Sequence, residues 1–361
     1  MPAPLLWLRN QEFLIAGGVI RPADYPSNRC FVLSTSSGTP RLQETCTLRF
    51  ARSQHTCTLL CDGSVLVVGG YGAGEVEADG VLRHRALKSA EVYCPATHTW
   101  RCLPPMNDPR VVHTTVLLRD GRAIVIGGLD QATEGGFGLE GIRHHRPLAT
   151  TEIIDTDKWT VVPGPTLPEP RHSCAALLMP DDSVGVIGGL RGRGDPPDPD
   201  YSKSLRPPMT WRPSDPAWSP LPAEGVRRAA GHTATLIAEQ RVILIGGMLP
   251  DARHGLVPTG SVETLDLGEL RWRRNSECRP RANHSTTLLA DGRILVIGGN
   301  DSGVGLRLVD LYDPTTDAWT SMGDLETARS GHFAGAISPS SVLVCGGEDA
   351  GPWFEVVSVP P

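Results

Sequence analysis

HTCTLLCDGSVLVVGG, residues 55–70, reads as an apolar strand, a tight turn at Asp62-Gly63, a second apolar strand and a closing glycine pair. The same phrase recurs. His113 leads to Gly127-Gly128, His232 to Gly246-Gly247, His284 to Gly298-Gly299 and His332 to Gly346-Gly347, each first glycine lying 14 residues after its histidine. His172 to Gly188-Gly189 is a sixth copy, two residues longer, and the spacing assigns the extra length to an expanded turn at Pro180-Asp181-Asp182-Ser183. A seventh pair, Gly17-Gly18, stands near the start without a histidine strand before it. A fixed internal period of this kind outranks chain length as a guide to architecture.

Each unit continues with two further strands. In the second unit they are residues 90–93 and the stretch around Trp100; in the third, residues 151–155 and Trp159; in the fifth, residues 261–265 and Trp272. The fourth is degenerate near Met209-Thr210-Trp211 and ends at Trp218, and LVDLYDPTTDAW of the sixth ends at Trp319. The strand before each glycine pair is apolar at every position (Val65-Leu66-Val67-Val68; Ile294-Leu295-Val296-Ile297), so its sheet must be covered on both faces. Similar four-stranded sheets stacked side by side achieve that without helices. Asp-Gly supplies the positive φ of a short hairpin, and the tryptophan is large enough to fill the space between neighbouring sheets.

A glycine pair ending an apolar strand, then an E-x-Y-x-P-like strand, then a tryptophan resembles the kelch repeat. That resemblance implies an all-β, seven-bladed kelch-like β-propeller with four-stranded antiparallel blades, in one domain. The blades fall at about 1–50, 51–107, 108–168, 169–226, 227–279, 280–327 and 328–361. The last unit lacks a fourth strand, so either residues 4–8 complete it or it has three strands. The phrasing of the repeats resembles that of bacterial stand-alone kelch proteins.

Forty glycines and thirty-two prolines suit many short strands, and a net charge of −6 gives no nucleic-acid footprint or polybasic membrane patch. No apolar run reaches the roughly 18 residues of a membrane span. The N-terminal stretch has no basic region, which argues against a signal peptide. Nine cysteines without metal-like spacing read as free thiols in a reducing compartment, hence a cytoplasmic location.

The kelch resemblance puts two kinds of loop on one face, those joining second to third strands and those joining successive blades. Long loops of the first kind, 71–89, 129–149 and 190–208, build up one sector there, and long loops on rigid scaffolds tend to carry function. Arginines recur just before the histidines: Arg52, Arg110, Arg171, Arg228, Arg281 and Arg329. They suit either an anionic ligand or a pairing with an acid or loop carbonyl of the next blade, and their recurrence favours pairing for most. The repeated histidines likewise suit one packing role better than a metal ring. Arg83-His84-Arg85 and Arg143-His144-His145-Arg146 align between two neighbouring blades and occur in no other. With nearby acids they could hold a divalent metal, act as general bases, or form a solvated basic patch. Arg191 opens a proline-rich loop, and Tyr71 lies outside the repeat's structural tyrosine position.

Two functions are compatible with these residues. The first is a recognition scaffold that binds a protein partner or an anionic small ligand at the face of blades 2–4 through Arg52, Arg83, Arg85, Arg110, Arg143, Arg146, Arg171, Arg191, Arg281, Arg329 and Tyr71, with no nucleic acid or membrane. The second is an enzyme of cyclase, isomerase (mutarotase) or lyase type on an acidic small molecule, with His84, His144 and His145 catalytic. No cofactor is evident, and a divalent metal is compatible with the histidines. Neither GxSxG, HExxH nor a phosphate-loop motif is present.

Overall fold

The computed structural model describes residues 5–8, 12–20, 25–35, 41–76, 82–83, 85–130, 146–191, 207–221, 230–237, 240–251, 255–347 and 354–360. Two compact units divide the chain, Pro2–His172 with Arg191–Pro197, and Ser173–Leu190 with Asp198–Pro361 and Met1. The described residues are built from strands and turns without helix, so no helix is long and apolar enough to cross a membrane.

The first unit contains three four-stranded antiparallel sheets, each in simple up-and-down order. They are Leu5–Trp7, Glu12–Ala16, Cys30–Ser34 and Arg41–Thr45; Thr56–Leu59, Val65–Val68, Ala90–Cys94 and Thr99–Cys102; and Thr114–Leu117, Ala123–Ile126, Thr151–Asp155 and Thr160–Pro163. The second unit contributes four more. The fourth sheet is Ala175–Leu178, Val184–Ile187, Met209–Trp211 and Ser219–Pro220, and the fifth is Thr233–Ile237, Arg241–Ile245, Val262–Asp266 and Arg271–Asn275. The sixth is Ser285–Leu288, Ile294–Ile297, Leu308–Asp313 and Ala318–Asp324, and the seventh has three strands, Phe333–Ser338, Ser341–Cys345 and Phe354–Ser358. Leu5–Trp7 pairs with Phe13–Ile15 of the first sheet, so of the two alternatives for the last blade the three-stranded one holds among the described residues.

Within each unit the first strands of successive sheets lie side by side, as in neighbouring propeller blades. The core sits between the sheets. Val65 and Val67 point into a cluster with Leu14, Ala16 and Val32 of the first sheet, whereas Leu66 and Val68 point into one with Ala123, Val125 and Ile154 of the third. The fifth sheet divides its second strand in the same way, Val242 and Leu244 to one side and Ile243 and Ile245 to the other. An apolar strand with two buried faces is the physical content of the unbroken Val-Leu-Val-Val run. The tryptophans plug the edges. Trp100 Nε1 donates to Cys46 O at 3.0 Å and stacks on Tyr93, and Trp319 Nε1 donates to Ser276 O at 3.0 Å and stacks on Tyr312.

The glycine pair is the latch between sheets. The second glycine's N–H donates to the carbonyl of the arginine that begins the next sheet: Gly18 to Arg52, Gly70 to Arg110, Gly128 to Arg171, Gly247 to Arg281 and Gly299 to Arg329, all at 2.8–2.9 Å. A Cβ on Gly69 would lie 2.6 Å from Arg110 O and 2.8 Å from His113 Cε1, and the backbone there has φ +59°. Only glycine satisfies both demands.

The fourth sheet corrects the reading of its histidine. In every other copy the residue just before the histidine has positive φ (Gln54, Val112, Gly231, Asn283, Gly331), and here that residue is Ser173. The equivalent of His55 is therefore Cys174, 14 residues before Gly188, and Arg171 sits three residues ahead of it as Arg52 does of His55. The turn is not expanded. Met179 N bonds to Ser183 O, as Leu118 N does to Arg122 O, and Asp182, at φ +66°, takes the left-handed position that Gly63, Gly121 and Gly292 fill elsewhere at +88° to +89°.

Candidate recognition face

Among the described residues, the connection between second and third strands rises into a small antiparallel hairpin in five sheets. These pair Val19–Ile20 with Tyr25–Pro26, Glu75–Val76 with Leu82–Arg83, Leu129–Asp130 with Arg146–Pro147, Met248–Asp251 with Gly255–Pro258, and Asn300–Asp301 with Val304–Gly305. The segments joining successive sheets pair with the feet of these hairpins through isolated bridges such as Ser53↔Tyr71, Val111↔Leu129 and Ala282↔Asn300. Both kinds of connection therefore leave each sheet at the same end.

The arginines of the joining segments do not line that end as a ligand ring. Arg52, Arg110, Arg281 and Arg329 are 0% exposed and Arg171 1%. Arg52 Nη1 donates to Gly69 O at 2.8 Å, and its Nη2 donates to Glu91 Oε1 at 2.6 Å and Ser89 Oγ at 2.9 Å. Arg110 repeats the pattern with Gly127 O and Glu152, both at 2.8 Å; Arg329 uses Gly346 O and Glu355, and Arg281 pairs with Asp310. The guanidinium groups of Arg52, Arg110 and Arg329 thus tie the exit of their own second strand to a carboxylate on their own third strand, and Arg281 reaches its own third strand's Asp310, so the pairing runs within a sheet and not to the next blade as expected. The carboxylates in turn fix the incoming chain, Glu91 accepting Arg49 N and Phe50 N, and Glu152 accepting Asn107 N and Asp108 N. The expectation that Arg52, Arg110, Arg171, Arg281 and Arg329 meet a ligand is corrected on this ground: a side chain without exposed surface presents nothing to one. Burial pulls the pKa of Arg52 and of Arg110 below the ordinary value, with Glu91 and Glu152 acting in the opposite direction.

The sequence reading passes over those acids. The signal that finds them is register: Glu91, Glu152, Glu263, Asp310 and Glu355 all stand opposite the third apolar residue of their sheet's second strand.

The histidines are packing groups. His113 Nε2 lies 3.0 Å from Thr56 Oγ1, His284 Nε2 3.1 Å from Thr233 Oγ1 and His332 Nε2 2.7 Å from Ser285 Oγ, each partner being the residue after the preceding sheet's own histidine. Where the preceding sheet has Ala175 in that place, His232 uses Ile187 O at 3.2 Å. Burial, then the neighbouring charges of Arg110 and Arg52, lower the His113 pKa to about 3; burial and Arg329 lower that of His332 to about 4. Among the described residues no group of three histidine, cysteine or acidic side chains is placed to hold a metal.

Tyr71 is also corrected. It is 8% exposed and packs with Val111 and Leu129, where burial raises its pKa to about 12. Three predicted arginines do reach the surface in one unit: Arg85, Arg191, and Arg146, which is 64% exposed in its side chain and bonds Asp130 through Nε at 2.9 Å. Arg83 lies on the strand Leu82–Arg83. His84, Arg143, His144, His145 and Arg228 lie outside the described residues.

The kelch motif matches residues 52–107 and 280–326, the second and sixth sheets. The chain is 25% identical over 242 residues to Adagio protein 3 of Arabidopsis thaliana, covering 61% of this chain and 37% of that protein. It is 23% identical over 308 residues to Kelch-like protein terF of Aspergillus terreus, covering 83% and 62%. It therefore spans less than two thirds of the length of either relative. Among solved structures it is similar to that of YjhT, with a TM-score of 0.62 and 16% identity over 90% of this chain and 98% of the other, a likeness of fold.

Proposed function

We propose, from the premise that this chain is a kelch-repeat β-propeller protein, that it works as a recognition scaffold. Its partner is a protein that docks an acidic segment on the hairpin end of the second and third sheets. The observation that carries this reading is a division of labour among the arginines. The described arginines of the repeat are buried, and Arg52, Arg110, Arg281 and Arg329 pair inside their sheets, whereas Arg85, Arg146 and Arg191 stand exposed on the connections between second and third strands. A residue present in one or two blades and held at the surface is what specificity requires of a repeat scaffold. Exposed guanidinium groups can pair with carboxylates in two parallel hydrogen bonds.

The paired variant Arg85→Glu/Arg146→Glu tests this. Pull-downs from the native host with the unaltered protein should retain a partner that the charge-reversed protein loses, with equal thermal unfolding of the two. Equal recovery by both would move the docking site elsewhere. Binding should also weaken as salt rises, because exposed charge pairs are screened over about 10 Å at 0.1 M ionic strength.

A further inference from the structure

The fifth and sixth sheets, both in the second unit, meet along an apolar seam that ends in a polar cavity. Ile243, Ile245 and Val262 face Ile294, Val296 and Tyr312 along the seam. Beyond them, at the end opposite the hairpins, lies a cavity of about 210 Å³. Arg241, Thr264, Asp266, Arg273 and Asn275 of the fifth sheet line it, and Pro314 of the sixth closes it.

The polar lining replaces apolar residues at matched positions. Thr264 stands opposite Ile243, where Val92 stands opposite Leu66 in the second sheet and Leu311 opposite Leu295 in the sixth. Asn275 pairs with Val262, whereas in the second sheet Leu103 N bonds to Ala90 O at that place. Val92 and Leu103 are core residues of their own seam. Thr264 is 8% exposed, and its hydroxyl donates to Asn275 Oδ1 at 2.9 Å. The arginine opposite this position also differs in use. Arg101, opposite Val92, has its guanidinium 3.6 Å from the ring centroid of Trp159 in the next sheet. In the sixth sheet the left-handed place of Trp159 belongs to Asp317, which accepts from Tyr312 Oη and Ser276 N. Arg273 therefore has no ring to lie on, and it borders the cavity with a solvent-exposed pairing to Glu269 at 3.2 Å.

The charges here do not cancel. Arg241 and Arg271 flank Asp266 across the ladder, and Arg273 stands opposite Thr264, so all three arginines share the face that carries Asp266. Asp266 Oδ1 is taken up by Gly268 N and Glu269 N, both at 2.9 Å. Three guanidinium groups against the carboxylates of Asp266 and Glu269 leave one positive charge in excess, and Arg241 forms no ion pair among the described residues.

We propose that this cavity is a binding site for a phosphate group, as the free ion or as the head of a small metabolite. Arg241 and Arg273 pair with its oxygens, the fork of each guanidinium matching two of them. The phosphate displaces Glu269 from Arg273, an exchange that costs little because the existing pair is screened by water. The cavity has room for about seven waters at roughly 30 Å³ each, so the ligand is small. The site lies away from the arginine-bearing hairpins and does not rest on their role.

Thermal unfolding of the full chain in inorganic phosphate or glycerol 3-phosphate, with sodium chloride holding ionic strength constant, tests this. A saturable rise of the midpoint is expected. Saturation at lower concentration with glycerol 3-phosphate would identify a metabolite head, and the reverse order the free ion. Arg241→Ala/Arg273→Ala should abolish the rise. Arg274→Ala/Arg279→Ala removes the same charge elsewhere, Arg274 standing opposite Glu263 on the other face, and should keep it. Thr264→Leu takes the side chain of Leu311, fills the cavity and spares both guanidinium groups. It should raise the half-saturating concentration at least about tenfold, since only surface charge would remain to hold the ion. Arg85→Glu/Arg146→Glu should change nothing. If Thr264→Leu does not fold, the exposed pair Arg241→Ala/Arg273→Ala decides alone. A rise that never saturates, or one that survives the loss of both arginines, overturns the proposal, because phosphate also stabilises proteins by exclusion from their surfaces. So does a rise indifferent to a folded Thr264→Leu.

Discussion

At the scale of single residues the protein is held by charges that never reach water. Arg52 and Glu91 are both 0% exposed in their side chains, whereas Arg29 and Glu44, at the same kind of distance (2.8 Å), are 48% and 47% exposed. Glu91→Ala strands a buried guanidinium and frees the N–H groups of Arg49 and Phe50, a loss of about 3–5 kcal/mol. Glu44→Ala should leave stability nearly unchanged, because solvent screens the pair. Urea unfolding of the two variants checks the contrast, and similar losses would refute it. The histidines give a second expectation. Burial holds His113 at about 3 and His332 at about 4, below the value near 6.5 of an unfolded chain. Between those values the unfolded state binds more protons than the folded one. Stability is therefore full above about pH 6.5 and falls as pH drops toward 4, by up to roughly 1.4 kcal/mol per pH unit for each histidine. Urea midpoints at pH 7, 6 and 5 should decline in sequence, and His113→Gln should decline less steeply than the parent.

At the scale of elements the strand–turn–strand–glycine unit is a joint as much as a hairpin, since its last two residues belong to the interface with the next sheet. Glycines of similar φ then differ in cost. Gly69→Ala must fit a Cβ against Arg110 O and His113, whereas Gly292, with φ +88°, has open space around its Cβ position. Both pay about 1–3 kcal/mol of backbone strain, but Gly69→Ala adds displacement of the neighbouring sheet. Thermal unfolding should rank Gly69→Ala clearly below Gly292→Ala. This joint also explains what the sequence discloses and what it hides. Periodic groups are legible because one geometry recurs, so His55, the Gly69-Gly70 pair and Trp100 announce the sheets unaided. Whether a periodic group faces water is not legible, because periodicity reports position and not depth. Recurrence favours a structural tie for Arg52 over a ligand contact, but only Glu91 beside it shows the partner and the depth. The fourth sheet misleads for a related reason: its pattern is anchored on Arg171 and the left-handed Ser173, and His172 is a neighbour of the true histidine position, which Cys174 fills. The exposed arginines sit on connections with no repeat to calibrate them, so chemistry at their hairpins could be named by residue type but not placed.

At the scale of the molecule, stability is shared between neighbours. The second and fifth sheets own no closed core; each buries half of its second strand against the sheet before and half against the sheet after. The sixth and seventh sheets show the consequence. Leu295, Ile297, Val309 and Leu311 of the sixth pack with Val342, Val344 and Val359 of the seventh. Removal of residues 328–361 would expose those four side chains at about 1.5–3 kcal/mol each, a sum comparable to the roughly 5–15 kcal/mol stability of a whole domain. It would also leave Gly299 N without the Arg329 carbonyl it bonds at 2.8 Å. The shortened chain should therefore not behave as the same protein with one sheet fewer. Its sixth sheet should bind a hydrophobic dye that the full chain does not, and its soluble yield should fall sharply. If the shortened chain instead unfolded cooperatively at the parent's midpoint, the interface between these sheets would not be the source of stability that its buried side chains make it.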